Sequence, residues 1–107
     1  MWIFTPNSFV SIVDKGDPSG KTLLVRARKN GDIERFFPDA KVQVGGGTDY
    51  DYRARIDREV VTQAMVDQVN NINWPNFKDK VEEPDRHDAY FQVWQAMYDF
   101  QEINSKN

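Results

Sequence analysis

The segment Asp51-Tyr52-Arg53-Ala54-Arg55-Ile56-Asp57-Arg58-Glu59-Val60-Val61 changes its hydrophobic period part-way along. From Asp51 to Ile56 it alternates. Tyr52, Ala54 and Ile56 share one face, and Asp51, Arg53 and Arg55 share the other, which is the period of a half-buried strand. After Asp57 the apolar residues Val61, Met65, Val69 and Ile72 recur at helical spacing. Asp57 suits an N-cap, because its carboxylate can accept from the free amides of a first turn. Glu59 suits the positive end of the helix dipole, and Ile56 and Val61 stand at hydrophobic-staple positions. The helix is expected to run to about Asn71. This switch divides the chain into a β half and an α half.

Upstream, Trp2 to Thr5 is rich in β-formers and is broken by Pro6-Asn7. Phe9 to Val13 places Phe9, Ser11 and Val13 on one side and Val10 and Ile12 on the other. Asp14 to Gly20 has the composition of a turn. Thr22 to Arg28 alternates again, with Leu23, Val25 and Ala27 facing one way and Leu24, Arg26 and Arg28 the other. Ile33, Phe36 and Phe37 have helical spacing, with Asp32 as the expected cap and Pro38 as the stop. Lys41 to Val44 reads as a short strand before Gly45-Gly46-Gly47.

Downstream, a turn or short helix is expected around Pro75 to Val81. A final helix begins near Asp85 and frays by Asn104. On it His87, Tyr90, Phe91, Trp94, Met97 and Tyr98 share one face. Strands first and helices after describe an α+β domain. The expectation is a mostly antiparallel sheet of four to five strands in the N-terminal half. Two longer C-terminal helices pack on one face of it and leave the other face partly open.

The 107 residues suffice for one globular domain, 1–107. A chain of this size buries roughly two-thirds of its unfolded surface, and seven Phe, four Tyr and three Trp supply a core. The absence of cysteine excludes disulfides, thiolate catalysis and cysteine-ligated zinc, and favours a reducing compartment. The N-terminal apolar run is short and lacks a basic flank, unlike a signal peptide. No stretch approaches the ~20 apolar residues of a membrane helix. A cytoplasmic protein without membrane association is expected. A net charge of −3 disfavours nucleic-acid binding, which needs clustered cations.

Several chemistries fail on spacing. Gly16-Asp-Pro-Ser-Gly20-Lys21-Thr22 has three residues between its glycines where the phosphate-binding loop has four, and a strand follows where that loop needs a helix. It reads as a hairpin turn. Gly45-Gly46-Gly47-Thr48 lacks the dinucleotide fingerprint and reads as a loop, with closure over a ligand as its functional alternative. His87 is the only histidine, so paired-histidine zinc motifs are excluded. With Asp88 or Asp85 it could act as a general base, against the simpler reading of a partly buried ring. Asp49 and Asp51 could share a cation or pair with Arg53 or Arg55. Glu82, Glu83, Asp85 and Asp88 suit a helix start. No serine nucleophile elbow is present.

Two strands repeat one pattern: Val25-Arg26-Ala27-Arg28 and Tyr52-Arg53-Ala54-Arg55. If both bury their apolar face, four guanidiniums share the opposite one. Their planar forks suit phosphate or carboxylate. The competing reading is a solvated face paired with Asp49, Asp51 or Glu34. Tyr50 and Tyr52 lie nearby in sequence, and Trp74-Pro75-Asn76-Phe77-Lys78 forms another cluster. The expected ligand site is Arg26, Arg28, Arg53 and Arg55, with Tyr52 stacking and Lys78 or His87 completing it. The expected function is non-enzymatic binding of a phosphorylated small molecule or nucleotide, with no cofactor and no catalytic residue. The alternative is a protein-interaction or inhibitor module acting on a host protein, since exposed aromatics and arginines also make interface hot spots.

The segments Trp2-Ile3-Phe4-Thr5, Leu24-Val25-Arg26-Ala27-Arg28, Asp49-Tyr50-Asp51-Tyr52-Arg53, Asn76-Phe77-Lys78 and Arg86-His87-Asp88-Ala89-Tyr90 with Val93-Trp94 together resemble a set of small bacterial and phage proteins of no assigned function. The resemblance implies a stand-alone domain and carries no activity or site with it.

Overall fold

The computed structural model describes residues 1–46 and 49–105. Gly47 and Thr48 of the glycine loop therefore lie outside the described residues. The chain is an α+β protein of two compact units, one from Met1 to Asn73 and a second from Trp74 onward.

The first unit contains β1 (Trp2–Thr5), β2 (Ser8–Val13), β3 (Thr22–Ala27), α1 (Asp32–Phe36), β4 (Gln43–Val44), β5 (Tyr52–Asp57) and α2 (Arg58–Asn70). The strands form one antiparallel sheet in the order β1-β2-β3-β5-β4. Alternation along each strand decides which residues are buried. Val10, Ile12, Leu23, Val25, Ala27, Ala54 and Ile56 form the core face. Ile33, Phe36 and Phe37 from α1 and its C-terminal end, and Val61 from α2, complete the cluster. Ile56 and Val61 flank the expected cap at Asp57, and both are buried. Asp57 does occupy the N-cap position, but its side chain makes no capping hydrogen bond.

Asp32 departs from its expected role. Gly31, in a left-handed conformation (φ 96°), takes the cap position of α1, and Asp32 is the first helical residue. Its buried carboxylate accepts instead from the Phe9 amide at 3.0 Å and from Arg35 Nη1 at 3.1 Å. A buried carboxylate needs such hydrogen-bond partners, and here they tie α1 to β2. The stripe on α2 is also shorter than its sequence suggests. Val61 is buried and Met65 half-buried, whereas Val69 and Ile72 are exposed.

The β2–β3 turn is organised by Asp17. Its Oδ1 accepts from the Ser19 amide (2.9 Å) and hydroxyl (2.7 Å). Its Oδ2 accepts from the Thr22 amide (3.0 Å) and hydroxyl (2.6 Å). Four donors on one carboxylate, the Thr22 hydroxyl foremost, hold Asp17 well below the usual carboxylate range. Arg58 then clamps the turn to the start of α2, donating to the Gly20 carbonyl at 2.7 Å and to Asp14 at 3.2 Å.

In the second unit, α3 (Phe77–Lys80) is capped by Asn76, whose Oδ1 accepts from the Lys78 amide at 3.0 Å. Pro84 opens α4 (Pro84–Asn104), where its missing amide proton costs nothing. Tyr90 is buried and stacks on Phe77 with centroids 5.9 Å apart. The buried Arg86 donates to Glu83 at 3.1 Å and to the Tyr90 hydroxyl at 3.2 Å. The rest of the expected apolar face of α4 is not buried: Phe91, Trp94, Met97 and Tyr98 are all exposed. No helix among the described residues is long and apolar enough to cross a membrane.

Two outcomes are expected. Ile33→Ala, at a side chain with no exposed surface, should cost about 2–5 kcal/mol in urea unfolding, while Val44→Ala on the exposed edge strand should stay within about 0.5 kcal/mol. Asp17→Asn should lower the urea midpoint at pH 7. The depressed folded pKa stabilises the protein above the unfolded value of about 3.9, so the difference from the parent chain should shrink as pH falls below it. A difference unchanged down to pH ~2 would contradict this linkage.

Candidate functional site

The β3–β5 ladder settles whether the two arginine strands meet. They are direct neighbours, and Arg26 pairs with Arg53 in register. Extending that rung gives a row across the whole sheet: Trp2, Ser11, Arg26, Arg53 and Gln43. Partners on one rung project to the same side, so this row lies on the face away from the core. The strands are about 4.8 Å apart, which brings the stems of Arg26 and Arg53 close together.

Arg26 and Arg53 are both half-buried, and neither forms an ion pair among the described residues. Arg26 Nη2 donates to the Ser11 hydroxyl at 2.9 Å, and Arg53 Nη2 donates to the Tyr50 carbonyl at 2.7 Å. The Nε–H of each is buried without a hydrogen-bond partner among the described residues. Like charges directly across an antiparallel pair are destabilising, and a buried donor without an acceptor costs further free energy.

Arg28 and Arg55 are exposed and held by the protein itself. Arg28 Nη1 donates to Asp49 Oδ1 at 2.9 Å, and this carboxylate is the main cause that raises the Arg28 pKa above its ordinary value. Arg55 donates to the Thr22 hydroxyl at 3.1 Å and to the Lys15 carbonyl at 2.9 Å. Because Thr22 in turn donates to Asp17, the β2–β3 turn sets the position of Arg55. A Cβ at Gly16 would come within 2.6 Å of Arg55 Nη2, and Gly16 also has a φ of +88°, so glycine is required where the turn meets the guanidinium.

The aromatic partner of the arginines is Tyr50, not Tyr52. Tyr52 pairs with Ala27 and packs against the core cluster, on the opposite side of the sheet from Arg26 and Arg53. The Tyr50 ring is buried, with Arg26 Cζ at 4.6 Å and Arg28 Cζ at 4.1 Å from its centroid. Two cations share one ring face system, an attraction that desolvation strengthens. Further along the same side of the sheet, Phe4 stacks on Phe9 (4.6 Å) and Trp2 meets Phe9 edge-on (6.3 Å). Trp2 stays 68% exposed.

Lys78 and His87 belong to the second unit. The Lys78 ammonium lies over Trp94, 4.3 Å from the ring centroid, and 5.6 Å from that of Phe91. His87 is half-buried on α4. Asp49 serves Arg28, and no cluster of three potential metal ligands occurs among the described residues. A groove of about 1010 Å³ lies beside α1 and α2, and of the four arginines only Arg55 lines it. Arg26 and Arg53 lie outside that groove.

No known protein family, curated protein or solved structure matches the chain. The reading of the site rests on its geometry.

If Tyr50 anchors the two cations, Tyr50→Leu should cost about 1–3 kcal/mol in stability beyond the change in apolar burial. Tyr50→Phe, which keeps the ring, should be close to neutral. Equal losses in both variants on chemical unfolding would show that the ring is not the anchor.

Proposed function

We propose that the protein binds an anionic, phosphate-bearing small molecule, a nucleotide being the class that fits best, and that Arg26 and Arg53 are the residues that hold it. The carrying observation is the in-register pair of half-buried guanidiniums which, among the described residues, have two unpartnered Nε–H donors and no carboxylate paired to either. A phosphate seated on this rung would screen the repulsion between the two cations, and a turn of each guanidinium would bring its buried Nε–H donor to the anion. Charge-assisted bonds of this kind are among the strongest available to a protein.

Arg28 and Arg55 support the same reading as flanking cations whose own partners fix their direction. The nucleotide class is supported by Trp2, an exposed indole on the same rung as Arg26 and two strands away, about 10 Å by strand spacing. An aromatic face beside cations suits a base carried at a distance from its phosphate.

The test is a thermal-shift and calorimetric titration with inorganic pyrophosphate and with adenosine and guanosine nucleotides. Ligand at about 100 times its Kd should stabilise the protein by about 2.7 kcal/mol. Arg53→Glu should abolish that gain without unfolding the chain, because it replaces the like-charged rung by an opposite-charged one. A flat titration, or full affinity in Arg53→Glu, would remove the proposal.

A further inference from the structure

A second observation, independent of the arginine row, concerns the entry to α1. Of the asparagines in the chain, Asn30 alone is followed by glycine. With no Cβ, Gly31 leaves its amide nitrogen open to attack the side chain before it. The Gly31 carbonyl accepts from the Arg35 amide at 3.2 Å, but the Gly31 N–H donates no hydrogen bond among the described residues. The local backbone nevertheless keeps the two groups apart. The Asp32 amide donates to the Lys29 carbonyl at 3.3 Å. Gly31 has φ 96° and ψ −18°, and no described residue other than glycine has positive φ. That bond and those angles define a type II turn with Asn30 and Gly31 at its centre. In this turn the first central residue has ψ of about +120°, which points the Gly31 nitrogen away from the Asn30 side chain. Closing a ring between them needs that nitrogen eclipsed with the Asn30 Cβ, so the turn must open first.

We propose that Asn30 is a site of spontaneous deamidation gated by opening of this turn, and that its isoaspartyl product loosens α1 from β2. In the opened turn the Gly31 nitrogen gives its proton to solvent base and attacks Asn30 Cγ. A new C–N bond closes a five-membered succinimide, and the side-chain nitrogen leaves as ammonia. Water then adds to one of the two ring carbonyls and breaks its bond to the ring nitrogen. Opening at the side-chain carbonyl leaves an ordinary aspartyl linkage. Opening at the main-chain carbonyl leaves an isoaspartyl linkage, in which the chain runs through the former side chain. Water is the one co-reactant, and nothing is oxidised or reduced.

The two products differ in what they do to α1. An aspartyl linkage keeps the backbone length and can rebuild the turn. An isoaspartyl linkage adds a methylene to the main chain between Lys29 and Asp32, so the Lys29–Asp32 bond loses its register. Asp32 is the next residue along, 1% exposed. Its carboxylate holds the Phe9 amide of β2 at 3.0 Å and Arg35 at 3.1 Å. Displacing Asp32 therefore strains the bond that ties α1 to the sheet, and a buried carboxylate drawn from its donors is costly. The site is coupled to folding in both directions: opening of α1 permits the reaction, and the isoaspartyl product favours opening.

Incubation of the full chain at neutral pH, in buffer and in denaturing urea, tests the inference. The peptide containing Asn30 is followed by mass spectrometry with fragmentation that separates isoaspartate from aspartate. Asn30 should gain the mass of an amide-to-acid exchange in urea, and the folded protein should react at least about tenfold more slowly. The isoaspartyl form, isolated by chromatography, should unfold at a lower urea midpoint than the parent chain. Asn30→Asp, which has the same charge on an ordinary linkage, should stay close to the parent. An Asn30 that remains intact in urea, or equal rates with and without urea, would overturn the inference. So would an isoaspartyl form as stable as Asn30→Asp.

Discussion

The pairing of β3 with β5 is the constraint on which most of the molecule depends. It joins two segments about thirty residues apart in six consecutive registers and makes β3 and β5 the middle of the sheet around which the other strands are added. Side-chain alternation then leaves no freedom. Val25 and Ala54 can enter the core only if Arg26 and Arg53 emerge together on the other side. A slip of one residue would bury guanidiniums and expose valine, so the core that stabilises the unit also enforces the cationic rung. Stability and the candidate site are two consequences of one register.

The surroundings divide the four arginines by role. Arg28 is paired with the Asp49 carboxylate, and Arg55 is held in place by the Thr22 hydroxyl and the Lys15 carbonyl. Arg26 and Arg53 receive neutral acceptors only, Ser11 and the Tyr50 carbonyl. The flanking pair is a frame with settled positions, and the central pair retains unmet capacity. Tyr50 links the two groups, since its ring contacts both Arg26 and Arg28 while its carbonyl accepts from Arg53.

Much of the fold was legible because strong local periodicity agreed with tertiary structure. The alternations in Thr22–Ala27 and Tyr52–Asp57, and the change of period at Asp57, all correspond to real elements. The arginine pattern was legible for the same reason. Strand order was not, because nothing local distinguishes direct pairing of β3 with β5 from an intervening strand. The choice between Tyr50 and Tyr52 as the stacking ring was not legible at Tyr50, which precedes β5 where alternation no longer dictates side, although the parity of Tyr52 with Ala54 and Ile56 points to the core. Asp32 looked like a cap because Asp before an apolar run usually is one; its long-range bond to the Phe9 amide has no local signature. On α4, periodicity revealed an apolar face but not whether anything covers it.

The measurement closest to the central claim observes the two unpartnered donors themselves. In an NMR titration with inorganic phosphate, the Nε–H resonances of Arg26 and Arg53 should shift together along one saturable curve, while that of Arg28, already engaged by Asp49, should move less. Saturable, matched shifts of Arg26 and Arg53 are the predicted result. Unmoved Nε–H resonances at phosphate concentrations that perturb other exposed cations would contradict the account.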